Sequence, residues 1–238
     1  MSSATVLVGT CGFCLARRQY YRLFSVVEVQ QTFYQPPDLA RVRRWRQEAP
    51  GDFQFTLKAF QAITHPGSSP TYRRSRLTPE EREQCGYFRN TPVVRQAWDI
   101  TYAIAQELQA RLVLFQCPAS FTPTREHIAD LRRFFSTLER ERLLLAWEPR
   151  GQAWTDSAIR RLCKELHLIH AVDPFVRPSV FGTVRYYRLH GGKDYQHRYT
   201  DTELAQLRSL LGPGTNYVLF NNVTMREDAE RFMKLCRR

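Results

Sequence analysis

The chain has 238 residues, of which 43% are hydrophobic, so it can form one large domain or two small ones around a substantial core. Its formal net charge of +12, from 35 basic and 23 acidic residues, favours contact with polyanions, of which nucleic acid is the usual one. No apolar stretch reaches the roughly 18 residues of a membrane-spanning helix, and the opening residues MSSATVLVG lack the pattern of a signal peptide. We therefore expect a cytoplasmic protein with no membrane contact.

Eight apolar runs rich in β-branched residues are the candidate strands. In chain order they are VLVGT (6–10), SVVEVQ (25–30), FQFTLK (53–58), RLVLFQ (111–116), LLLAWE (143–148), LIHAV (168–172), VRYYRLH (184–190) and NYVLFN (216–221). Most are almost continuously apolar, which is typical of parallel strands that are buried on both faces.

Helical patterns separate most of these runs. They cover 38–49, 91–110, 122–141, 155–166, 200–211 and roughly 226–236. Asp38, Thr155 and Thr200 stand at helix starts, where their side chains can cap the first turn. The link between the sixth and seventh runs has little helical signal and is predicted to be irregular.

Strands that alternate with helices predict an α/β fold with a parallel sheet. At this length we predict a (β/α)8 TIM-type barrel that forms a single domain over residues 1–238, with a doubly wound open sheet as the alternative. Residues 60–90 are predicted to form a long basic loop, and a loop of that length in a compact domain is usually functional or disordered.

Polar residues follow nearly every candidate strand, and in such barrels the active site lies at the carboxyl ends of the strands. The candidate catalytic residues are Glu28, Lys58, His65, Glu148, Arg188 and His190. The candidate substrate-binding residues are Thr32, Tyr34, Gln116, Arg150, Asn221 and Asn222. Burying an unpaired charge is costly, which favours a site for the charged residues. For the amide side chains, capping or loop tethering is the alternative.

Six segments in order along the chain resemble one protein family. They are VEVQQTFYQPP, FQFTLKAFQAITHP, LVLFQCPASF, WEPRG, YYRLHGG and YVLFNNV, and as a set they resemble the YecE-like family, also called domain of unknown function 72. The family-like positions are Glu28, Thr32, Phe33, Tyr34, Lys58, Thr64, His65, Gln116, Pro118, Glu148, Arg188, His190, Gly191, Asn221 and Asn222. The resemblance implies a TIM-type barrel but no particular reaction. The chain departs from the family pattern at CGFC (11–14) and at Cys117, and both departures introduce cysteine.

The cysteines therefore suggest a metal site. Cys11, Cys14, Cys85 and Cys117 follow the pattern C-x2-C-x70-C-x31-C, and all four are expected near the carboxyl ends of the strands. Four thiolates suit an iron–sulfur cluster or zinc, and the Cys-Pro pair at 117–118 favours a [4Fe–4S] cluster, with zinc as the alternative. A redox dithiol or two buried thiols are the other interpretations of the CxxC pair. Cys163 and Cys236 are predicted to pack helices.

The mixture of carboxylates and cations at the predicted mouth suits an anionic substrate. We predict an iron–sulfur protein that hydrolyses nucleic acid with metal assistance, in which Glu28 and Glu148 act as acid and base or bind a divalent ion. His190 and Asp173 could add ligands, and Tyr72 and Tyr87 could stack on bases. A non-catalytic nucleic-acid-binding protein, a redox protein and a sugar-phosphate enzyme are the alternatives. The partner is expected to be nucleic acid or another phosphorylated anion.

Overall fold

The structure is a computed structural model that describes residues 4–237, except for the side chain of Arg74. Of the predicted domain, residues 1–3 and 238 therefore lie outside the described part. The strands are β1 (Thr5–Cys11), β2 (Val26–Val29), β3 (Gln54–Lys58), β4 (Leu112–Gln116), β5 (Leu144–Glu148), β6 (Ile169–Val172), β7 (Arg185–Leu189) and β8 (Thr215–Phe220).

These strands form a closed parallel barrel in chain order, in which β1 pairs with both β2 and β8. All eight predicted strands are present, and the prediction of a single-domain TIM-type barrel is confirmed. The open-sheet alternative is wrong because the pairing of β1 with β8, from Thr5 opposite Thr215 to Thr10 opposite Phe220, leaves no free sheet edge.

Helices surround the barrel. In the described residues they are α1 (Arg17–Leu23), α2 (Gln31–Tyr34), α3 (Leu39–Glu48), α4 (Gln61–Thr64), a 3₁₀ helix (Pro70–Arg74), α5 (Pro79–Glu83), α6 (Pro92–Leu108), α7 (Arg125–Thr137), α8 (Asp156–Leu166), α9 (Asp201–Ser209) and α10 (Met225–Cys236). No helix of residues 4–237 is both long and apolar enough to cross a membrane.

Helix starts follow the capping residues. Asp38, Thr155 and Thr200 each accept a backbone N–H of the first turn of α3, α8 and α9, as predicted. Helix α7 begins later than predicted, because Thr124 rather than Thr122 accepts the amide of His127, at 3.1 Å. Between β6 and β7 the described chain has no helix, as expected.

The segment 60–90 is more ordered than a loop. It contains α4, the 3₁₀ helix and α5, and it buries Tyr72, Cys85 and Phe88. Residues Gly86–Phe88 all have positive φ, and their amides donate to carbonyls of Ala62, Thr64 and Ile63. They thereby satisfy the otherwise unpaired carbonyls of α4, directly after β3. The segment therefore holds α4 in place at the carboxyl end of β3.

The core has two parts. One lies between the strands and the helices, and the other fills the barrel interior. The interior part contains Leu7, Cys11, Val26, Leu112, Leu114, Ala146, Ile169, Ala171, Tyr186, Tyr217 and Leu219. The charged side chains Glu28, Glu148 and Arg188 stand two residues beyond Val26, Ala146 and Tyr186 on their strands, at the carboxyl ends.

Candidate active site

The alternation of side chains along the strands builds the site. Residues two apart on a strand point to the same face, so the interior residues Val26 and Ala146 place Glu28 and Glu148 inside the barrel, one layer higher. The polar side chains placed in this way are Glu28, Lys58, Gln116, Glu148 and Arg188. They come from five different strands and meet at one mouth.

Arg188 lies at the centre of this layer. Its Nε and Nη2 donate to Glu28, at 3.0 Å to Oε2 and 2.8 Å to Oε1. Its Nη1 donates to Glu148 Oε2 at 2.6 Å and to Gln116 Oε1 at 2.9 Å. The side chain is only 1% exposed, so both carboxylates are bridged by one guanidinium out of reach of water.

Two further side chains bind Glu28. The hydroxyl of Tyr186 donates to Oε2 at 2.7 Å, and Gln30 Nε2 donates to Oε1. The Tyr186 oxygen also lies 2.8 Å from Thr56 Oγ1, inside the barrel. Both oxygens of Glu28 are thus engaged by neighbours of the protein itself, which holds this carboxylate in one position.

The charges of this layer stabilise each other. Burial alone would raise the pKa of Glu148, but Arg188 and Arg150 outweigh it and hold that pKa well below its ordinary value. Burial alone would lower the pKa of Arg188, and the two glutamates raise it well above its ordinary value. The arrangement is therefore a fixed ion-pair network.

Three further polar side chains, those of Arg150, His190 and Asn221, lie between this layer and the solvent. Arg150 Nε donates to Glu148 Oε1 at 3.1 Å, and its Nη2 lies 3.3 Å from Gln116 Oε1. His190 Nε2 lies 3.0 Å from Glu148 Oε1, and Asn221 Nδ2 lies 3.2 Å from His190 Nδ1. Burial lowers the pKa of His190, which keeps its ring neutral near pH 7.

Asp173 binds the backbone next to these side chains. Its carboxylate accepts the amides of His190 at 2.9 Å and Phe175 at 3.0 Å. Burial raises the pKa of this carboxyl group, against the effect of the two amides. The residue therefore orients His190 through the backbone.

In the described residues, Lys58 is buried without the carboxylate partners that Arg188 and Arg150 have. It is 5% exposed, its Nζ lies 3.6 Å from the centroid of the Phe33 ring, and among residues 4–237 no hydrogen bond or ion pair to Nζ is found. Burial, with a smaller contribution from Arg188, lowers its pKa to about 7. About half of this amine is therefore neutral at pH 7.

His65 flanks the Lys58 side of the mouth. Its Nδ1 lies 2.8 Å from Thr64 Oγ1, its ring packs edge-on against Phe33, and its carbonyl accepts the hydroxyl of Tyr72 at 2.9 Å. Burial, followed by the charge of Lys58, lowers its pKa to about 3. His65 is thus a neutral imidazole near Lys58.

Within residues 4–237, three of the predicted substrate-binding residues do not contact the network of Arg188, Glu28 and Glu148. Thr32 donates its hydroxyl to the carbonyls of Lys58, at 2.6 Å, and Val29, at 3.0 Å, so it ties the β2 and β3 ends together. Asn222 Nδ2 donates to Asp228 Oδ2 at 2.7 Å. Tyr34 is 48% exposed and lines an outer groove with Pro36 and other residues.

Comparison with known proteins gives the family. The sequence profile described as "Protein of unknown function DUF72" matches residues 16–238. The chain belongs to the DUF72 family. This confirms the resemblance read from the sequence motifs.

Solved structures of DUF72 proteins share the fold. A DUF72 family protein from Enterococcus faecalis V583 is 20% identical, with 100% of each chain covered and a TM-score of 0.73. One from Thermotoga maritima MSB8 is 20% identical, with 98% of this chain and 100% of that chain covered and a TM-score of 0.68.

The barrel is also similar to that of a sugar epimerase. The structure of a D-psicose 3-epimerase in the presence of D-fructose is 10% identical, with 100% of this chain and 98% of that chain covered and a TM-score of 0.60. At this identity the likeness concerns the fold. No curated protein matches the chain.

The four predicted cysteine ligands do not meet. Cys117 follows Gln116, which points into the barrel, so Cys117 points outward, where its Sγ lies 3.3 Å from Trp147 Nε1. Cys11 faces the barrel interior, whereas Cys14 packs in the outer core. Cys85 is buried within the 60–90 segment and donates to the carbonyl of Glu81 at 3.3 Å.

No three His, Cys, Asp or Glu residues of the described chain are grouped so that they could hold a metal ion. The prediction of an iron–sulfur nuclease is therefore wrong. Glu28 and Glu148 do not suit a divalent ion either, because Arg188 lies between them and uses oxygens of both. The base stacking suggested for Tyr72 also fails, because this residue is buried.

Some of the arginines have ion-pair or hydrogen-bond partners within the protein. Arg43 Nη2 lies 2.7 Å from Glu107, Arg132 Nε lies 2.7 Å from Glu165, and Arg46 donates to backbone carbonyls beyond the end of α3. The net charge still stands at +12, and contact with a phosphorylated anion stays a prediction.

Sequence reasoning did not select Tyr186 or Gln30 as site residues. Both bind Glu28 directly. The signal for Tyr186 was available, because it precedes Arg188 by two residues on one strand and so shares its face. Gln30 lies beyond the end of β2, where alternation no longer fixes the direction of the side chain.

Proposed function

We propose that this DUF72 protein is an enzyme that acts on a small carbonyl compound of the sugar type, with the Lys58 amine as the nucleophile. The observation that carries the proposal is the burial of Lys58 without an ionic partner in the described residues, at the carboxyl end of β3. Active sites of TIM barrels lie at this end of the strands. The choice of a sugar-type compound is supported by the similar barrel of the epimerase solved with D-fructose.

The composition of the chain supports a chemical role for this lysine. Of 35 basic residues, 31 are arginines and four are lysines, and the lysines other than Lys58 are exposed. Arginine serves where a permanent charge is required, as at position 188, because it does not lose its proton in proteins. A lysine in a buried, dry position can release its proton and become a nucleophile.

The proposed step is formation of a Schiff base. The Nζ lone pair of neutral Lys58 attacks the carbonyl carbon, and one proton moves from the nitrogen to the oxygen to give a neutral carbinolamine. The hydroxyl group then takes a second proton from solvent, the C–O bond breaks, water leaves, and the nitrogen lone pair forms the C=N bond of a protonated iminium. This iminium withdraws electrons from the neighbouring carbon, so a bond to that carbon can break with its electron pair delocalised toward nitrogen. Hydrolysis of the C=N bond restores the amine.

The test is reductive trapping. The full chain is incubated with D-fructose, dihydroxyacetone or glyceraldehyde together with cyanoborohydride, which reduces an iminium to a stable secondary amine. We expect one adduct by intact mass, located by peptide mapping on Lys58. Lys58→Met should abolish the adduct, whereas Lys193→Met, at an exposed lysine of the β7–α9 connection, should retain it.

The pH dependence adds a second criterion. Trapping at Lys58 should reach half its maximal rate near pH 7, because its pKa is lowered to about 7, whereas an exposed lysine requires pH near 10. Labelling spread over all the lysines according to exposure, or no adduct with any of the three compounds, would refute the proposed nucleophile. A rate that still rises steeply above pH 9 would do the same.

A further inference from the structure

The mouth contains two arginines in unequal positions. Arg188 is 1% exposed and its three nitrogens all donate to Glu28, Glu148 or Gln116. Arg150 is 31% exposed, and no hydrogen bond from its Nη1 is found in the described part of the chain. Arg150 therefore presents an open edge of a guanidinium to the entrance.

The contacts of Arg150 are also incomplete on the inner side. Asn221 Nδ2 is a donor, so the His190 Nδ1 that lies 3.2 Å from it acts as the acceptor. The neutral ring then carries its proton on Nε2 and donates to Glu148. Arg150 Nη2 lies 2.9 Å from the same Nε2, which is a donor in this tautomer. Its acceptors in the described chain are Gln116 Oε1 at 3.3 Å and His190 Nδ1 at 3.4 Å, and both contacts are long. An acceptor supplied from the entrance would therefore strengthen the bonding of this nitrogen.

The charges nearby do not already neutralise Arg150. Glu148 is shared between Arg188, Arg150 and His190, and the oxygens of Glu28 are used by Arg188, Tyr186 and Gln30. Tyr195, whose ring is edge-on to that of His190 with the ring centroids 5.8 Å apart, places its hydroxyl beside the Arg150 guanidinium, where the oxygen can accept from Arg150 while the O–H donates to a bound anion. Both side chains can therefore donate to an anion at the entrance.

We infer that the substrate carries an anionic group, a carboxylate or a phosphate ester, that binds the open edge of Arg150 while its carbonyl reaches Lys58. This inference rests on the proposed function of Lys58. A guanidinium edge is well suited to both kinds of oxyanion. Arg150 is then the residue that selects anionic over neutral carbonyl compounds.

The test compares matched pairs in the trapping reaction. Glyceraldehyde is compared with glyceraldehyde 3-phosphate, and butanal with 4-oxobutanoate, at equal concentration. In at least one of the two pairs, the anionic compound should form the trapped adduct about tenfold faster than the neutral compound. A factor of this size is the usual effect of one hydrogen bond to a charged group. Arg150→Gln should bring the trapping rate of the anionic compound down to that of its neutral partner, so that the ratio of the two rates falls from about ten to about one, and Arg150→Lys should keep part of the preference. Arg142→Gln, at an exposed residue before β5, is the control.

A second measurement does not depend on Lys58. Inorganic phosphate or succinate should raise the melting temperature of the protein and of Lys58→Met, but not that of Arg150→Gln. Trapping without preference for anions, or a preference that survives in Arg150→Gln, overturns the anion subsite and leaves the Lys58 proposal standing. Absence of trapping together with Arg150-dependent stabilisation overturns the Lys58 proposal and retains the subsite. Absence of both effects overturns both.

Discussion

Two cations are buried at the same barrel mouth, and they differ in almost everything but charge. Arg188 donates to three acceptors, whereas Lys58 packs its Nζ against the Phe33 ring without an acceptor in the described residues. A buried charge is tolerated when it is paired, and it otherwise shifts its pKa toward the neutral form. The contrast favours a structural role for Arg188 and supports the proposed nucleophilic role of Lys58.

The comparison is tested most strongly at Arg188. Arg188→Met removes the bridge and leaves Glu28 and Glu148 buried side by side, so we expect the free energy of unfolding to fall by about 3–5 kcal/mol. Urea unfolding monitored by tryptophan fluorescence measures it. The exposed ion pair of Arg43 with Glu107 is the control, and Arg43→Met should change the stability by less than about 1 kcal/mol.

A companion variant separates charge from packing. If repulsion and desolvation of the carboxylates cause the loss, Arg188→Met combined with Glu28→Gln and Glu148→Gln should recover much of the lost stability, because neither buried carboxylate is charged any longer. A triple variant as unstable as Arg188→Met alone would show that the shape of the arginine, and not its charge, holds the mouth together.

Lys58 should behave in the opposite way. Its folded-state pKa, about 7, lies below the ordinary value of about 10.4, so the unfolded chain binds more protons between these values and stability rises with pH there. Below pH 7 the buried ammonium costs up to roughly 5 kcal/mol. Lys58→Met should therefore be more stable than the natural protein at pH 6, and the difference should shrink as pH rises toward 10.

Urea unfolding at pH 6, 8 and 9.5 measures this difference, with Lys193→Met as the matched exposed control, which should change little at any pH. A Lys58→Met protein that is less stable than the natural one at pH 6 would mean that the amine has a partner and that its pKa is not lowered. The two cations would then be alike.

The barrel and most of this site were predictable, because both depend on local patterns. Continuous apolar runs gave the eight strands, and the rule that reacting groups of such barrels lie at the carboxyl ends of the strands selected Glu28, Glu148 and Arg188. The sequence did not reveal which of these charged side chains pair with each other. Nothing in the spacing of these residues shows that one guanidinium binds both carboxylates, since that depends on the closure of the barrel and its register.

The prediction of the cysteine site failed because neighbouring residues of a strand face opposite sides of the sheet. The amide of Cys117 donates to the Glu148 carbonyl at 3.0 Å, so the alternation of β4 continues past Gln116, and Cys117 packs outside the barrel while Gln116 points inside. The helices of the 60–90 segment were harder to predict, because each is short and hydrophobic periodicity is weak over so few residues. One of its signals was readable, since Thr78 and Glu81 form a capping box at the start of α5.

The smallest effect is expected at Tyr186, which supports the paired side of the mouth. Tyr186→Phe removes a buried hydroxyl that donates to Glu28 at 2.7 Å, and a hydrogen bond to a charged group contributes about 1.5–3 kcal/mol. The adjacent Tyr187→Phe is the matched control, because its hydroxyl donates to the neutral carbonyl of Leu210 at 2.9 Å, a bond of about 0.5–1.5 kcal/mol. Urea unfolding should therefore rank Tyr186→Phe as the less stable variant by about 1 kcal/mol. Equal losses would indicate that Arg188 and Gln30 alone satisfy Glu28, and that the tyrosine only fills the barrel interior.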